Sequence, residues 1–199
     1  MGHLLALSAV LLGMDVGAET AGVRARYSEI TKLVTTGTAK EVRLYAPDDP
    51  ASNEWAIVGP KASSRRSFEE SDFRARVYIY QSRVVEVILE THSGSGDWTL
   101  EESYYFYPDC ATAFYLASLL TFQGYDVERQ RELPPGPYVV ERRRYFDEKG
   151  REFRTLQKAF VQSTQAEIPA RTLRLNIPEE AYRSCSALPF GKQLAKLLK

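Results

Sequence analysis

From residue 74 onward the hydrophobic period of the chain changes from helical to two, and no other feature constrains the fold as much. "RARVYIY" (74–80) sets Ala75, Val77 and Ile79 against arginines and tyrosines, and "RVVEVILET" (83–91) puts Val85, Val87 and Leu89 on one face. After the flexible stretch "HSGSGD", "WTLEESYYFY" (98–107) resumes an extended, aromatic-rich pattern. Alternation of this kind marks strands with one buried face, and the turn-forming residues between them mark hairpins. "YDVERQREL" and "YVVERRRYF" flank "PPGP" as a hairpin would, and "REFRTLQKAFV" follows the turn "DEKG". The expectation is a mainly β (α+β) chain built on an antiparallel meander sheet of about six to seven strands. An N-terminal amphipathic helix and short C-terminal helices complete it.

The elements around the sheet are legible to different degrees. Val23, Tyr27, Ile30 and Val34 form one apolar stripe on a helix over 22–36, with Gly37 suited to stop it. "KEVRLYA" (40–46) reads as a strand, and "EWAIV" (54–58) as an edge strand in an otherwise loop-rich stretch from 47 to 72. "NIPEEAYRSC" reads as one or two helical turns, and "KQLAKLLK" as a short docked helix with Leu194, Leu197 and Leu198 on one side. Residues 110–123 carry both helix and strand signals. Asp109 is a good N-cap and the alanines and leucines favour helix, but "YFYPDCATAF" (105–114) echoes "YFDEKGREF" (145–153). The echo makes 109–110 a hairpin turn, with Cys110 where a turn prefers glycine, and so predicts a strand from 111 to 122.

The N-terminus reads "MGHLLALSAVLLGMDVGAET", a short apolar run followed by Val16-Gly17-Ala18. This is the pattern of a secretory signal peptide spanning 1–18, with a single exported globular domain over 19–199. The competing expectation is an ordinary N-terminal helix. The run is too short to span a bilayer, and Met14 stands where a lipoprotein would need its cysteine, so no stable membrane anchor is expected. The 26 basic and 26 acidic side chains cancel, which argues against nucleic acid as a partner.

Two cysteines remain in the mature chain, Cys110 and Cys185, and an exported chain with an even cysteine count predicts a disulfide between them. The alternative is two unpaired buried thiols. No C-x-x-C occurs, and a lone His92 in the mature chain cannot build a typical zinc site without carboxylates. Neither a metal nor a cofactor is expected. The arginines of "ERRR" (141–144), with Arg129, Arg131, Arg151 and Arg154, are interleaved with glutamates, which predicts cross-strand ion pairs on a solvated face.

The most suggestive group is the aromatic strand. Period two places Trp98, Leu100, Glu102, Tyr104 and Phe106 on one face and Glu101, Tyr105 and Tyr107 on the other. Trp98, Glu102, Tyr104, Tyr105 and Tyr107 are therefore the candidate binding residues, since exposed aromatics beside carboxylates can stack on sugar rings. The plainer expectation for the same residues is sheet core and cross-strand packing. Three functions follow. The first is a non-catalytic binding or structural domain of the bacterial envelope or extracellular space, with a protein or glycan partner. The second is a carboxylate-dependent hydrolase of envelope glycans or peptides, and the third a stabilising or inhibitory partner protein. Convergence of Glu102, Asp97, Asp109 or His92 in one concave site favours the hydrolase.

Overall fold

The computed structural model describes residues 3–47, 54–126, 130–134, 136–169 and 180–198, with backbone alone over 3–16. The chain opens with helix α1 (His3–Thr35), followed by strands β1 (Lys40–Ala46) and β2 (Ala56–Ile57) and helix α2 (Ala62–Glu70). Four long strands come next: β3 (Phe73–Tyr80), β4 (Arg83–His92), β5 (Trp98–Phe106) and β6 (Thr112–Thr121). A small ribbon, β7 (Tyr125–Asp126) and β8 (Arg131–Glu132), precedes β9 (Tyr138–Phe146), β10 (Glu152–Val161) and β11 (Glu167–Ile168). A 3-10 turn (Cys185–Ala187) and helix α3 (Gly191–Leu197) close the described chain.

Among the described residues, nine strands form one antiparallel sheet in the order β11-β10-β9-β6-β5-β4-β3-β1-β2. The count exceeds the six to seven expected; β2 falls within the edge strand read at 54–58, whereas β11 is a two-residue edge strand too short to show a period. Six of the seven long strands are those read from the chain's pattern; the seventh, β6, follows from the hairpin echo. Residues 112–121 are a strand, as the echo predicts and against their helical propensity; β6 lies between β5 and β9, paired on both sides. "PPGP" does not join a hairpin: β9 pairs with β6 and β10, while Tyr125↔Glu132 and Asp126↔Arg131 close their own ribbon. Helix α2 was not expected from sequence. It is polar almost all round, and only Phe68 is buried, beneath the guanidiniums of Arg43 and Arg74 at 5.6 and 5.8 Å.

Two apolar layers cover the two faces of the sheet. On the first face Leu44, Val77, Val87, Leu100, Phe106, Leu119 and Val140 pack against Leu188, Phe190 and Leu194 of the C-terminal segment. On the second face Tyr78, Val85, Tyr105, Phe114 and Tyr145 pack against Val23 and Ile30 of α1. Val85 thus faces away from Val87 and Leu89, with which the alternation grouped it, because the β3–β4 register shifts between Tyr78 and Ile79 and Val84 takes the first-face position. The helical stripe read from sequence is thus the docking stripe, and α1 stops where Gly37 adopts φ +68°, its N–H bonded to Val34 O. Leu194 of α3 is buried as expected. The expected helical turns at 176–185 lie partly outside the described residues. Within them, Ser184 pairs with Ala111 as a one-residue bridge, and the Thr112 N–H donates to Arg183 O. The chain is extended there because it adds to the sheet end before turning at Cys185.

The bridge between Cys110 and Cys185 is formed, with Cα atoms 5.5 Å apart and a sequence separation of 75. Cys110 sits at φ +73°, the left-handed region that disfavours a side chain, and Gly150 sits at φ +73° in the β9–β10 turn. Both turns close in the same way, Tyr107 N–H to Ala111 O at 2.8 Å and Asp147 N–H to Arg151 O at 3.0 Å. The two hairpins echoed in sequence therefore share one turn geometry, with Cys110 in the position that glycine holds in its sister.

Candidate functional site

The alternation places the candidate residues as expected: Glu102 and Tyr104 face the C-terminal layer, Tyr105 faces α1. They do not form one site. On the first face, Tyr104 stands directly across from Tyr115 of β6, and both hydroxyls donate to one carboxylate oxygen of Glu102, at 3.0 and 2.8 Å. Tyr182 closes the group from the C-terminal segment, its ring 5.8 Å from that of Tyr104. Glu102 is 8% exposed. Burial raises its carboxyl above the ordinary carboxylate range, and the two tyrosine hydrogen bonds pull it part of the way back. Burial, with the carboxylate beside them, likewise pushes the Tyr104 and Tyr115 phenols up, so both hydroxyls remain donors. The arrangement keeps a carboxyl satisfied inside an aromatic core.

A second buried carboxyl faces the other way. Glu86 lies opposite both Tyr78 and Tyr105, and burial raises it while a bond from the Tyr105 hydroxyl and the nearby Arg76 charge lower it. Beyond it runs a charged ladder. Glu90 and Glu101 are directly opposed across β4 and β5, a repulsive placement offset by Arg76, whose Nη2 lies 2.5 Å from Glu90 and 3.6 Å from Glu101. Arg74 adds a contact to Glu90 at 3.1 Å and touches the His92 ring, which also meets the Thr99 hydroxyl at 3.2 Å. Glu101 and His92 were named from sequence, but not Arg74, Arg76 or Glu90, nor the ladder that joins them. Its signal was the shared face of the arginines in "RARVYIY" and the glutamates in "RVVEVILET", but the register that joins them is set by turn geometry.

Trp98 opens β5, and Tyr107 follows its last residue, Phe106. Trp98 is exposed at the loop end. The Tyr107 hydroxyl donates to Phe146 O at 2.9 Å, and burial followed by the charges of Glu148, Asp147, Glu19 and Asp109 raises its phenol. A cavity of 410 Å³ opens beside it, lined by Glu19, Val23, Tyr107, Glu148, Lys149 and Phe153 among others. A narrower one of 220 Å³ follows the edge of α1 past Arg24, Tyr27, Leu116, Arg143 and Tyr145.

Asp97 and Asp109 flank the nine-residue β5 at its two ends, so roughly 30 Å of strand separates them. His92 lies on the face opposite Glu102. The four groups do not converge. Of the arginines near "ERRR", three form cross-strand or local pairs, Arg143–Glu141 at 2.7 Å, Arg144–Glu152 at 3.2 Å and Arg151–Asp147 at 3.0 Å, and Arg154 lies over the Tyr145 ring; Arg129 lies outside the described residues. Among the described residues, no group of three or more His, Cys, Asp or Glu side chains is arranged to hold a metal ion. Comparison with known proteins finds no family that matches the chain, and no curated protein or solved structure similar to it.

Proposed function

We propose that the chain is an exported, non-catalytic binding or structural domain of the bacterial cell envelope or extracellular space, taking a protein or glycan partner. The Cys110–Cys185 bridge carries this reading, because such bonds persist in oxidising compartments and are rare where thiols are kept reduced. The apolar run ahead of Ala18 supplies the matching export signal. The non-catalytic part is supported by how the carboxylates are used. Glu102 is held by two tyrosines, and Glu90 and Glu101 by Arg76, so each serves the fold.

The test is a pull-down from envelope extract with the oxidised protein, residues 19–199, run with and without reductant. The expected result is retention of an envelope component that reduction weakens. Retention no better than that of an unrelated exported protein overturns the binding reading. Release of glycan or peptide fragments from the extract, abolished by a carboxylate substitution, replaces it with the hydrolase.

A further inference from the structure

Three large aromatic side chains are exposed at one end of the sheet: Trp98 at 37%, Phe122 at 49% and Tyr125 at 40%. They belong to neighbouring chain segments. Trp98 opens β5 in register with Thr121, and the Phe122 N–H donates to Asp97 O at 3.1 Å just beyond the end of β6. Tyr125 opens the small ribbon, in register with Glu132. This end of β5 lies opposite the disulfide turn at Cys110.

Phe122 and Tyr125 line a cavity of 710 Å³ together with Thr121, Gln123, Glu132 and Leu133. The segment that presents them is held by its own bonds: the Thr121 hydroxyl donates to Gln123 O at 3.0 Å, and the Leu133 N–H to Gly124 O at 2.8 Å. A chain tied this firmly while leaving two aromatic rings in water has the form of a preorganised contact surface. The chemistry of the lining narrows the ligand. Aromatic faces alternate with a hydroxyl, an amide and a carboxylate, and no Lys or Arg is among the described lining residues. Asp97 and Glu132 would repel phosphate or an acidic polymer. A pyranose ring presents C–H faces for aromatic stacking and hydroxyl edges for amide and carboxylate bonds, without charge.

We infer that the Phe122–Tyr125 cavity, one of whose lining residues, Thr121, is in register with Trp98, is a binding site for neutral oligosaccharide. The inference rests on the binding-domain reading above and names its site and ligand class. The test is titration of the oxidised domain with hexamers of β-1,4-linked glucose and of β-1,4-linked N-acetylglucosamine, followed by calorimetry and by tryptophan emission. Trp98 is the exposed one of the two tryptophans, since Trp55 is buried, so ligand at this rim changes emission and protects it from quenching. Phe122→Ala and Tyr125→Ala each remove a stacking face and are expected to weaken binding by about tenfold. Both residues are exposed, and unchanged thermal midpoints establish that each variant still folds. Failure of both hexamers to bind the wild-type domain overturns the inference, as does binding that neither substitution weakens. If the envelope pull-down succeeds with Phe122→Ala and no hexamer competes, the domain binds its partner, a protein included, elsewhere, and only the sugar site is lost. If the pull-down fails but the hexamers bind at this rim, the site stands and the envelope partner does not.

Discussion

The turn at Cys110 allows the disulfide and the backbone strain to be separated. Cys110 holds φ +73°, and its sister position in the β9–β10 turn is Gly150 at the same φ. Removing the bridge frees an unfolded chain with ends 75 residues apart, which the chain-entropy model values at about 4.5 kcal/mol. The replacement residue at 110 then matters. Alanine keeps the left-handed penalty, on the order of 1 kcal/mol, whereas glycine removes it. The double variant C110G/C185A should therefore lose about 3.5 kcal/mol and C110A/C185A about 4.5 kcal/mol. Gly150→Ala gives an independent measure of the same penalty, since a Cβ there meets nothing within 4 Å and the cost is conformational alone. Urea unfolding, with midpoints read at constant slope, resolves a difference of about 1 kcal/mol, which corresponds to roughly 2–4 °C in thermal midpoint at this chain length. Equal stabilities for the two double variants, or a more stable alanine form, would refute the shared turn geometry.

Other expectations concern the core and the buried carboxyls. Glu102 and Glu86 are both raised, chiefly by burial, so the folded chain holds their protons more tightly than the unfolded one. Their contribution to stability is fully present below the ordinary carboxylate pKa of 4.5 and is lost as pH rises through the folded values. Glu102→Gln should remove its share of that decline, leaving the variant more stable relative to wild type at pH 7 than at pH 4; a pH-independent difference contradicts this. Phe190 is fully buried with its ring 4.8 Å from that of Trp55, so Phe190→Ala should cost about 3–5 kcal/mol and red-shift the buried tryptophan emission. An unshifted spectrum would mean that the C-terminal segment does not cover the sheet in solution. Arg76→Ala leaves Glu90 and Glu101 opposed without their bridging cation, and it should destabilise the fold more than Glu101→Ala does, measured by the same unfolding curves.

The sheet was legible because most long strands carry their own alternation, and because two hairpins repeat one turn sequence closely enough to decide residues 112–121 against helical propensity; the bulge that turns Val85 away from Val87 and Leu89 was not. Edge strand β2 was legible within "EWAIV", but β11 and α2 were not, since two residues show no period and a helix that buries one phenylalanine shows no stripe. The faces of Glu102, Tyr104 and Tyr105 were readable from parity alone, and so was the stripe on α1. Which residues meet across strands was not. Tyr115 as the second donor to Glu102, and Arg76 between Glu90 and Glu101, depend on register, which a single sequence leaves open. The exposure of Phe122 and Tyr125 depends on a ribbon of two-residue strands that local pattern does not reveal.

The central claim is export with the Cys110–Cys185 staple formed, and an intact-mass measurement on the full-length chain expressed in a bacterium tests it most directly. Material recovered from the periplasm or medium should begin at Glu19, and after alkylation without reductant it should carry no thiol adduct. A chain that stays in the cytoplasm with residues 1–18 attached and two alkylated cysteines would contradict it.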